Sequence, residues 1–146
     1  MPTARRSRTI AAPVEEIWEI VHDPHHLPRW WPRVSRVEDV EGDAFTEVMI
    51  TRKGKTVRAD FNLLPSEVGE RALTWAQRVE GTPFARLLRS AETEVRLGDS
   101  GLSTEVTIEL RQTLTGIFPR LGGVMVKRAA ATTIEEALDG LERISV

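Results

Sequence analysis

Hydrophobic and polar positions along the chain change their period twice, which divides the sequence into three parts. In the first part, apolar residues recur at the spacing i, i+3, i+4 and i+7, at Val14, Ile17, Trp18 and Val21. This spacing places them on one face of a short helix, which Pro24 ends. A strand is predicted before this helix, over residues 5–11. A second short helix is predicted after it, over residues 25–31, and it stops at Pro32.

The middle of the chain alternates with a period close to two, which is typical of strands in an antiparallel sheet. Glycine-containing turns separate the alternating segments, as at Gly42 and Gly54. The pattern predicts six strands, over residues 34–41, 45–53, 56–64, 71–79, 87–97 and 102–113. With the N-terminal strand, the sheet then has seven strands at the short spacing of a meander.

The third part returns to a helical period, and residues 115–144 are predicted to form one long helix. Its apolar face consists of Ile117, Phe118, Leu121, Val124, Met125, Ile134, Ala137, Leu138, Leu141 and Ile144. The sequence contains no internal repeat and no linker. Residues 1–146 are therefore predicted to form a single domain of the α+β class.

Composition fits such a domain and excludes several kinds of chemistry. The 146 residues are 40% hydrophobic and 29% charged with a net charge of -2, which offers no broad positive surface for nucleic acid. The absence of cysteine excludes disulfides, thiolate nucleophiles and cysteine zinc sites. The apolar stretches are too short to span a bilayer, and no apolar run follows the basic N-terminus. We therefore expect no nucleic-acid partner, no stable membrane insertion and a cytoplasmic location.

Residues 9–38 contain all three histidines and three of the four tryptophans, which raises the question of a metal or catalytic centre. His22 and His26 lie four residues apart with Asp23 between them, but Pro24 interrupts the helix that would align them. No GxSxG motif accompanies a serine nucleophile. We therefore expect no metal site and no cofactor.

The tryptophans of this segment are interpreted mainly as packing residues. Trp18 lies on the apolar face of the first helix. Trp30 and Trp31 are adjacent, and adjacent helical positions do not share a direction. One of the two is expected to pack inward, and the other is expected near a pocket mouth or at the surface.

The opening residues IAAPVEEIWEIVHDPHHLPRWWP resemble the START-like (SRPBCC) superfamily, which includes pollen-allergen-type and polyketide cyclase/dehydrase-like proteins. They are similar to the family's first strand, its Ala/Ser-Pro-x-x-x-hydrophobic-Trp helix and its Leu-Pro-x-Trp-x-Pro turn. The stretch GLSTEVTIEL with the helix after it resembles the family's last strand and closing helix. The resemblance covers nearly the whole chain. It implies a helix-grip fold: a curved seven-stranded antiparallel sheet around a long C-terminal helix, with two short helices between strands 1 and 2.

Elementary geometry adds a consequence to this fold. Seven strands spaced by about 4.8 Å span roughly 30 Å, whereas a helix with its side chains is about 10–12 Å wide. The sheet must therefore curl around the helix. The space that remains is either filled by large side chains or left as a cavity. Aromatic residues make up only 5% of the chain, and residues 129–131 of the helix are all alanine. We therefore predict an apolar pocket between the sheet and the helix.

Strand alternation and the helical face indicate which side chains would line this pocket. The candidates are Trp75, Gln77, Phe61, Leu73, Ala59, Thr104, Val106, Ile108, Leu121, Met125 and Trp30. Among them, Gln77 and Thr104 have the polar groups that would orient a ligand by hydrogen bonds.

Two strand registers stay open. In residues 45–53, Val48 and Ile50 compete with Phe45 and Met49 for the inner face. In residues 91–97 the expected register buries the apolar alternate positions, because burying charged groups is costly. A one-residue bulge near residues 86–90 would instead turn three charged side chains inward, namely Glu92, Glu94 and Arg96.

The function that we predict is binding of a hydrophobic or aromatic small molecule, lipid or polyketide-like, by a monomer or homodimer. The first alternative is an enzyme resembling polyketide cyclases or aromatases, although no catalytic constellation is evident; an inward Glu92 or Glu94 with a raised pKa would support it. The second alternative is a partner-binding module. It requires a filled interior and an exposed apolar patch at residues 83–88 with Trp30 or Trp31.

Overall fold

One antiparallel sheet of seven strands, in the order β1-β7-β6-β5-β4-β3-β2, forms the frame of the molecule. The computed structural model describes residues 2–51, 53–64, 66, 71–116 and 120–145, with side chains from residue 122 onwards in the last segment. The strands are β1 (Thr3–Ile10), β2 (Val34–Glu41), β3 (Ala44–Ile50), β4 (Thr56–Leu64), β5 (Ala72–Gln77), β6 (Leu88–Asp99) and β7 (Thr104–Leu114). Strands β2 to β7 follow one another as a meander, as the pattern predicts, and β1 pairs with β7.

Two short helices connect the opposite edges of the sheet, and one long helix closes the fold. They are α1 (Val14–Val21), α2 (Leu27–Trp30) and α3 (Arg120–Ser145), with single 3-10 turns at Pro24–His26 and Pro83–Arg86. The Asp23 side chain accepts a hydrogen bond from the His25 backbone N–H and so caps the first 3-10 turn. The predicted α+β helix-grip architecture is confirmed. The predicted apolar residues Ile117 and Phe118 lie outside the described residues.

The hydrophobic core lies between α3 and the concave face of the sheet. From Ile134 onwards α3 presents fully buried residues, including Leu138 and Leu141. On the sheet side, Val106 and Ile108 of β7 are also fully buried. Each such side chain contributes about 1.5–3 kcal/mol when it is removed from water. The C-terminal half of α3 therefore holds the closed end of the fold together.

The register of β6 places its charged residues on the outer face. Thr93, Val95 and Leu97 are buried, whereas the Arg111 guanidinium lies across the outside of the sheet and contacts Glu92 at 3.2 Å and Glu94 at 3.3 Å. The register irregularity that would have turned these carboxylates inward is present, between Leu88 and Ser90. It precedes the alternating segment, so it reorients only the first residue of the strand.

Strand β1 lies at the edge of the sheet and is joined to α3 by ion pairs. The Arg8 guanidinium contacts Asp139 at 2.6 Å, Glu135 at 2.9 Å and Glu142 at 3.5 Å. The three carboxylates project from successive turns of α3, and the Arg8 side chain is only 23% exposed. Because the carboxylates are about half exposed, the network stabilises the fold modestly, but it fixes the direction in which α3 crosses the edge strand.

The backbones of α2 and α3 approach each other closely where the two helices cross. A Cβ atom added at Gly140 would lie 2.4 Å from the carbonyl oxygen of Trp30. Real Cβ atoms do not tolerate such a distance, so only glycine allows α2 to rest on α3 here. By contrast, a Cβ atom added at Gly123 in the same helix would meet no atom within 4 Å.

We predict that Gly140→Ala lowers the free energy of unfolding by about 1–3 kcal/mol, because α2 or α3 must shift to accommodate the methyl group. The matched variant Gly123→Ala should raise it by about 0.5–1 kcal/mol, since alanine favours a helix interior over glycine. Urea denaturation of the two variants and the parent protein measures both effects. Equal stability of the two variants would contradict the close contact between α2 and α3.

Candidate functional site

A cavity of about 400 Å³ lies between the concave face of the sheet and the first turns of α3. Four α3 residues face it at the spacing i, i+3, i+4 and i+7, and they are Val126, Ala129, Ala130 and Thr133. These side chains are short, so they do not reach the sheet in the way that Ile134 and Leu138 do farther along the helix. The space remains at one end of the fold because, in the described part of α3, the row of residues that faces the sheet carries only short side chains before Ile134.

The cavity opens to solvent beside the start of β6. Among its lining residues, Leu87 is 50% exposed and Ala129 is also exposed, which places the mouth between the Pro83–Arg86 turn and α3. Leu88 and Leu114 complete this side of the lining. The irregularity between Leu88 and Ser90 explains how Leu88 and Ala91, three residues apart on one strand, both face the cavity.

Aromatic side chains form the wall opposite the mouth. Trp75 is buried, and its ring meets that of Trp31 edge to face, with centroids 5.5 Å apart. Phe61 also lines the cavity and stacks on Phe45, with centroids 5.4 Å apart. Both rings of the Trp30–Trp31 pair are buried, which differs from the prediction that only one packs inward.

The local backbone explains this difference. Helix α2 ends at Trp30, and Trp31 has an extended backbone with φ -81° and ψ 131°. The angle between side chains of adjacent helical residues therefore does not describe these two tryptophans. Trp31 reaches the cavity, whereas Trp30 packs beneath α3 at Gly140 and is absent from the cavity lining. The predicted pocket residue is thus replaced by its neighbour.

Four neutral polar side chains lie among these apolar walls: Thr93, Gln77 and Gln112 on the sheet and Thr133 on α3. The Nε2 atom of Gln77 and the Oε1 atom of Gln112 are both buried and have no hydrogen-bond partner among the described residues. The pairing registers place them in one row across the sheet, with Ala91 between them. The cavity therefore offers one unpaired donor and one unpaired acceptor over a small residue.

Glu47 is the acidic residue of the described lining, and sequence alternation did not single it out. Its side chain follows the inward register of Phe45 and Met49 on β3, and it is only 2% exposed. No hydrogen bond to its carboxyl group occurs among the described residues. Burial raises the pKa of Glu47 to about 8, so the neutral form predominates at pH 7.

The other predicted pocket residues divide into three groups. Leu73, Ala59, Val106 and Ile108 are buried on the inner face but belong to the packed core outside the cavity lining. Met125 is 70% exposed, because it lies one position away from the row of α3 residues that faces the sheet. The side chain of Leu121 lies outside the described residues.

Thr104 does not serve the orienting role predicted for it. It is fully buried at the closed end, and its hydroxyl group donates to the Ala12 carbonyl oxygen at 2.7 Å. The hydroxyl thus satisfies a backbone acceptor between β1 and α1. Of the two predicted orienting residues, only Gln77 lies in the cavity lining.

The histidines make local contacts near the surface. The Nδ1 atom of His22 lies 2.8 Å from the Trp18 carbonyl oxygen, and the Nδ1 atom of His25 lies 2.8 Å from an Asp23 carboxyl oxygen. Within the described ranges, no three His, Cys, Asp or Glu side chains are arranged to hold a metal ion. In the same part of the chain, no helix has the length and apolar character needed to cross a membrane.

Comparison with known proteins identifies a family for the chain. The family model described as polyketide cyclase / dehydrase and lipid transport matches residues 1–145. No curated protein matches the chain.

Solved structures share the fold at low sequence identity. A START superfamily protein from Mycobacterium smegmatis is 18% identical, with 98% of this chain and 96% of that chain covered and a TM-score of 0.79. The Zhui aromatase/cyclase from Streptomyces sp. R1128 is 14% identical, with 98% and 92% covered and a TM-score of 0.74. The di-domain ARO/CYC BexL from the BE-7585A biosynthetic pathway is 18% identical, with 98% and 46% covered and a TM-score of 0.81. At these identities the likeness shows the fold.

The raised pKa of Glu47 makes stability depend on pH in a defined direction. Between its ordinary value of 4.5 and about 8, the folded protein keeps a proton that the unfolded chain releases. The contribution of Glu47 to the free energy of unfolding is therefore fully present below pH 4.5. It falls as the pH rises towards 8, by up to about 1.4 kcal/mol per pH unit. We predict a shallower decline between pH 5 and 8 for Glu47→Gln than for the parent protein.

Denaturant unfolding at pH 5, 6, 7 and 8 measures this slope. Glu105→Gln is the matched control, because Glu105 is exposed at the start of β7. The control should follow the parent protein. If Glu47→Gln and Glu105→Gln gave the same slope as the parent protein, the carboxyl group of Glu47 would not be buried in solution.

Proposed function

Because the chain belongs to the polyketide cyclase, dehydrase and lipid transport family, we propose that it binds a hydrophobic or aromatic small molecule, lipid or polyketide-like, between the sheet and α3. The observation that carries the proposal is the unfilled cavity of about 400 Å³, with tryptophan and phenylalanine on one side and aliphatic residues on the other. Such a mainly apolar cleft with a few convergent polar groups is the usual form of a small-molecule site.

Energetics favour an occupant with both apolar and polar parts. Each Å² of apolar surface removed from water contributes about 25 cal/mol before the costs of immobilisation. A buried polar atom without a partner costs about 1–3 kcal/mol, and Gln77 and Gln112 each have one among the described residues. A ligand with a hydrogen-bond acceptor for Gln77 and a donor for Gln112 would remove both costs.

The mouth of the cavity is compatible with an apolar ligand. Leu87, Leu88, Leu114 and Val126 form an aliphatic rim at the open end. A hydrophobic molecule passing this rim keeps continuous apolar contact from the surface to the aromatic wall. The rim therefore supports uptake of the ligand from water or from a carrier.

A second candidate function, a polyketide cyclase- or aromatase-like enzyme, is supported by Glu47. A buried carboxyl group in a cleft, with its pKa raised to about 8, is suited to exchange protons near neutral pH. An inward Glu92 or Glu94 would have supported this alternative, but both carboxylates pair with Arg111 on the outer face. Glu47 is thus the residue on which a catalytic hypothesis depends.

The partner-binding hypothesis receives less support. It requires a filled interior and an exposed tryptophan beside residues 83–88. Instead, the interior holds a cavity, and both Trp30 and Trp31 are buried. Leu87 is exposed in that segment, but its position at the mouth gives it a role in ligand uptake.

We predict that Ala91→Leu abolishes or weakens ligand binding at least tenfold, because the larger side chain would occupy the floor between Gln77 and Gln112. Ala76→Leu is the matched control: Ala76 lies on the neighbouring strand β5, is similarly half-buried, and points to the outer face. Isothermal titration with neutral naphthalene alcohols and medium-chain lipids measures affinity, and native mass spectrometry of the purified protein detects a carried ligand.

The expected result is one saturable site per chain that Ala91→Leu removes and Ala76→Leu retains. Binding that survives Ala91→Leu would place the ligand elsewhere. Absence of saturable binding across the compounds, together with no added mass in the native spectrum, would contradict the proposed function.

A further inference from the structure

Glu47 is the one residue of the described cavity lining that can carry a charge. The lining residues around it are aliphatic, aromatic or neutral polar, and none of those described is Lys, Arg or His. Neutral donors and acceptors are already available from Thr93, Gln77 and Gln112. Glu47 adds a group that can become negatively charged. Its presence in the lining therefore points to a ligand that carries a positive charge.

The described surroundings of Glu47 contain no protein partner for this potential charge. Ala59 of β4 lies directly opposite it and Val37 of β2 lies on its other side, while Phe61 is its diagonal neighbour. The small side chain of Ala59 leaves room above the carboxyl group. Among the described side chains of α3, those that line the cavity across from the sheet are uncharged.

The described charged groups on the neighbouring elements are engaged elsewhere or point away. On the outer face of the sheet, Glu38 pairs with Arg36 and Arg58, and Asp60 accepts a hydrogen bond from Thr46. On α3, Lys127 and Arg128 are exposed to solvent. A guanidinium nitrogen of Arg33 lies 3.8 Å from a carboxylate oxygen of Glu136 on the same helix. Burial is accordingly what raises the pKa of Glu47, with no compensating cation among the described residues.

Aromatic rings surround the same space. Trp31, Trp75 and Phe61 line the cavity together with Glu47. Ring faces attract cations by about 0.5–2 kcal/mol, more as water is excluded, and they tolerate the apolar substituents of an organic cation. A carboxyl group without a counter-ion and three aromatic rings form the kind of site that stabilises a positively charged nitrogen.

We propose that the ligand is an amphiphilic amine, whose protonated nitrogen pairs with the Glu47 carboxylate while its apolar part occupies the cavity. This inference rests on the proposed function, because it requires the cavity to be the ligand site. No covalent bond forms or breaks. Glu47 gives its proton to solvent, and the charged pair replaces the neutral acid.

This proton balance makes the proposal measurable. At pH 7 Glu47 is mainly protonated in the free protein, so binding of an ammonium group releases close to one proton. Below pH 8 the affinity for the amine should rise about tenfold per pH unit, and it should fall again above the pKa of the amine itself. A neutral ligand of the same shape should show neither effect.

The test uses 1-naphthylmethylamine and its neutral counterpart 1-naphthylmethanol. Isothermal titration at pH 6, 7 and 8, in two buffers of different ionisation enthalpy, gives the affinities and the number of protons released. We expect the amine to bind at least tenfold more tightly than the alcohol at pH 8, with close to one proton released at pH 7. Glu47→Gln should weaken amine binding at least tenfold more than it weakens alcohol binding, whereas Glu105→Gln should alter neither.

Each other result overturns the proposal. If the alcohol binds as tightly as the amine, or if the amine binds without proton release, the site selects a neutral ligand and only the proposed function stands. If neither compound binds and native mass spectrometry shows no carried ligand, both the proposed function and this inference fail. Proton release is measured on the parent protein, so the test remains decisive even if Glu47→Gln fails to fold.

Discussion

The mismatch between one helix and a sheet of seven strands governs the rest of this structure. At its C-terminal half, α3 carries Ile134, Leu138 and Leu141, and these residues reach the concave face and close the core. At its N-terminal half, Ala129 and Ala130 cover the same sheet without filling the distance to it. Side chains therefore fill the space between helix and sheet at the C-terminal half of α3, and this packing stabilises the protein. At the N-terminal half of α3 they leave the cavity open. The division falls within a single helix.

This division also separates the residues by role. At the closed end, the Thr104 hydroxyl group is satisfied by the Ala12 carbonyl oxygen, whereas the Nε1 donor of Trp30 is buried there without a partner among the described residues. At the open end, Gln77, Gln112 and Glu47 stay without protein partners among the described residues. An unpaired buried polar group costs free energy, so a domain tolerates it where a bound molecule supplies the missing contact. Two of the three buried side-chain atoms without a partner among the described residues, those of Gln77 and Gln112, belong to side chains that line the cavity.

The sequence predicted the fold well because its signals are local. The period of two, the glycine turns and the proline that ends α1 each fix an element without knowledge of its neighbours. Strand faces were harder: the inward register of Phe45 and Met49 carries Glu47 with it, but residues 45–53 show apolar side chains at both parities. Helix phase misled for Met125, because one position of rotation separates an exposed residue from the row that lines the cavity. Trp30 and Trp31 exchanged roles because the helix ends between them.

The irregularity between Leu88 and Ser90 has a consequence for how the binding preference of such a protein can change. It adds one residue to β6, and so it decides which alternate side chains of the segment before it, up to Leu88, face inward. Losing or gaining a residue at this point would exchange the side chains at the rim while leaving the aromatic wall and the acidic residue in place. Ligand preference can therefore change through insertion or deletion of a residue beside the cavity mouth, while the rest of the sheet keeps its structure.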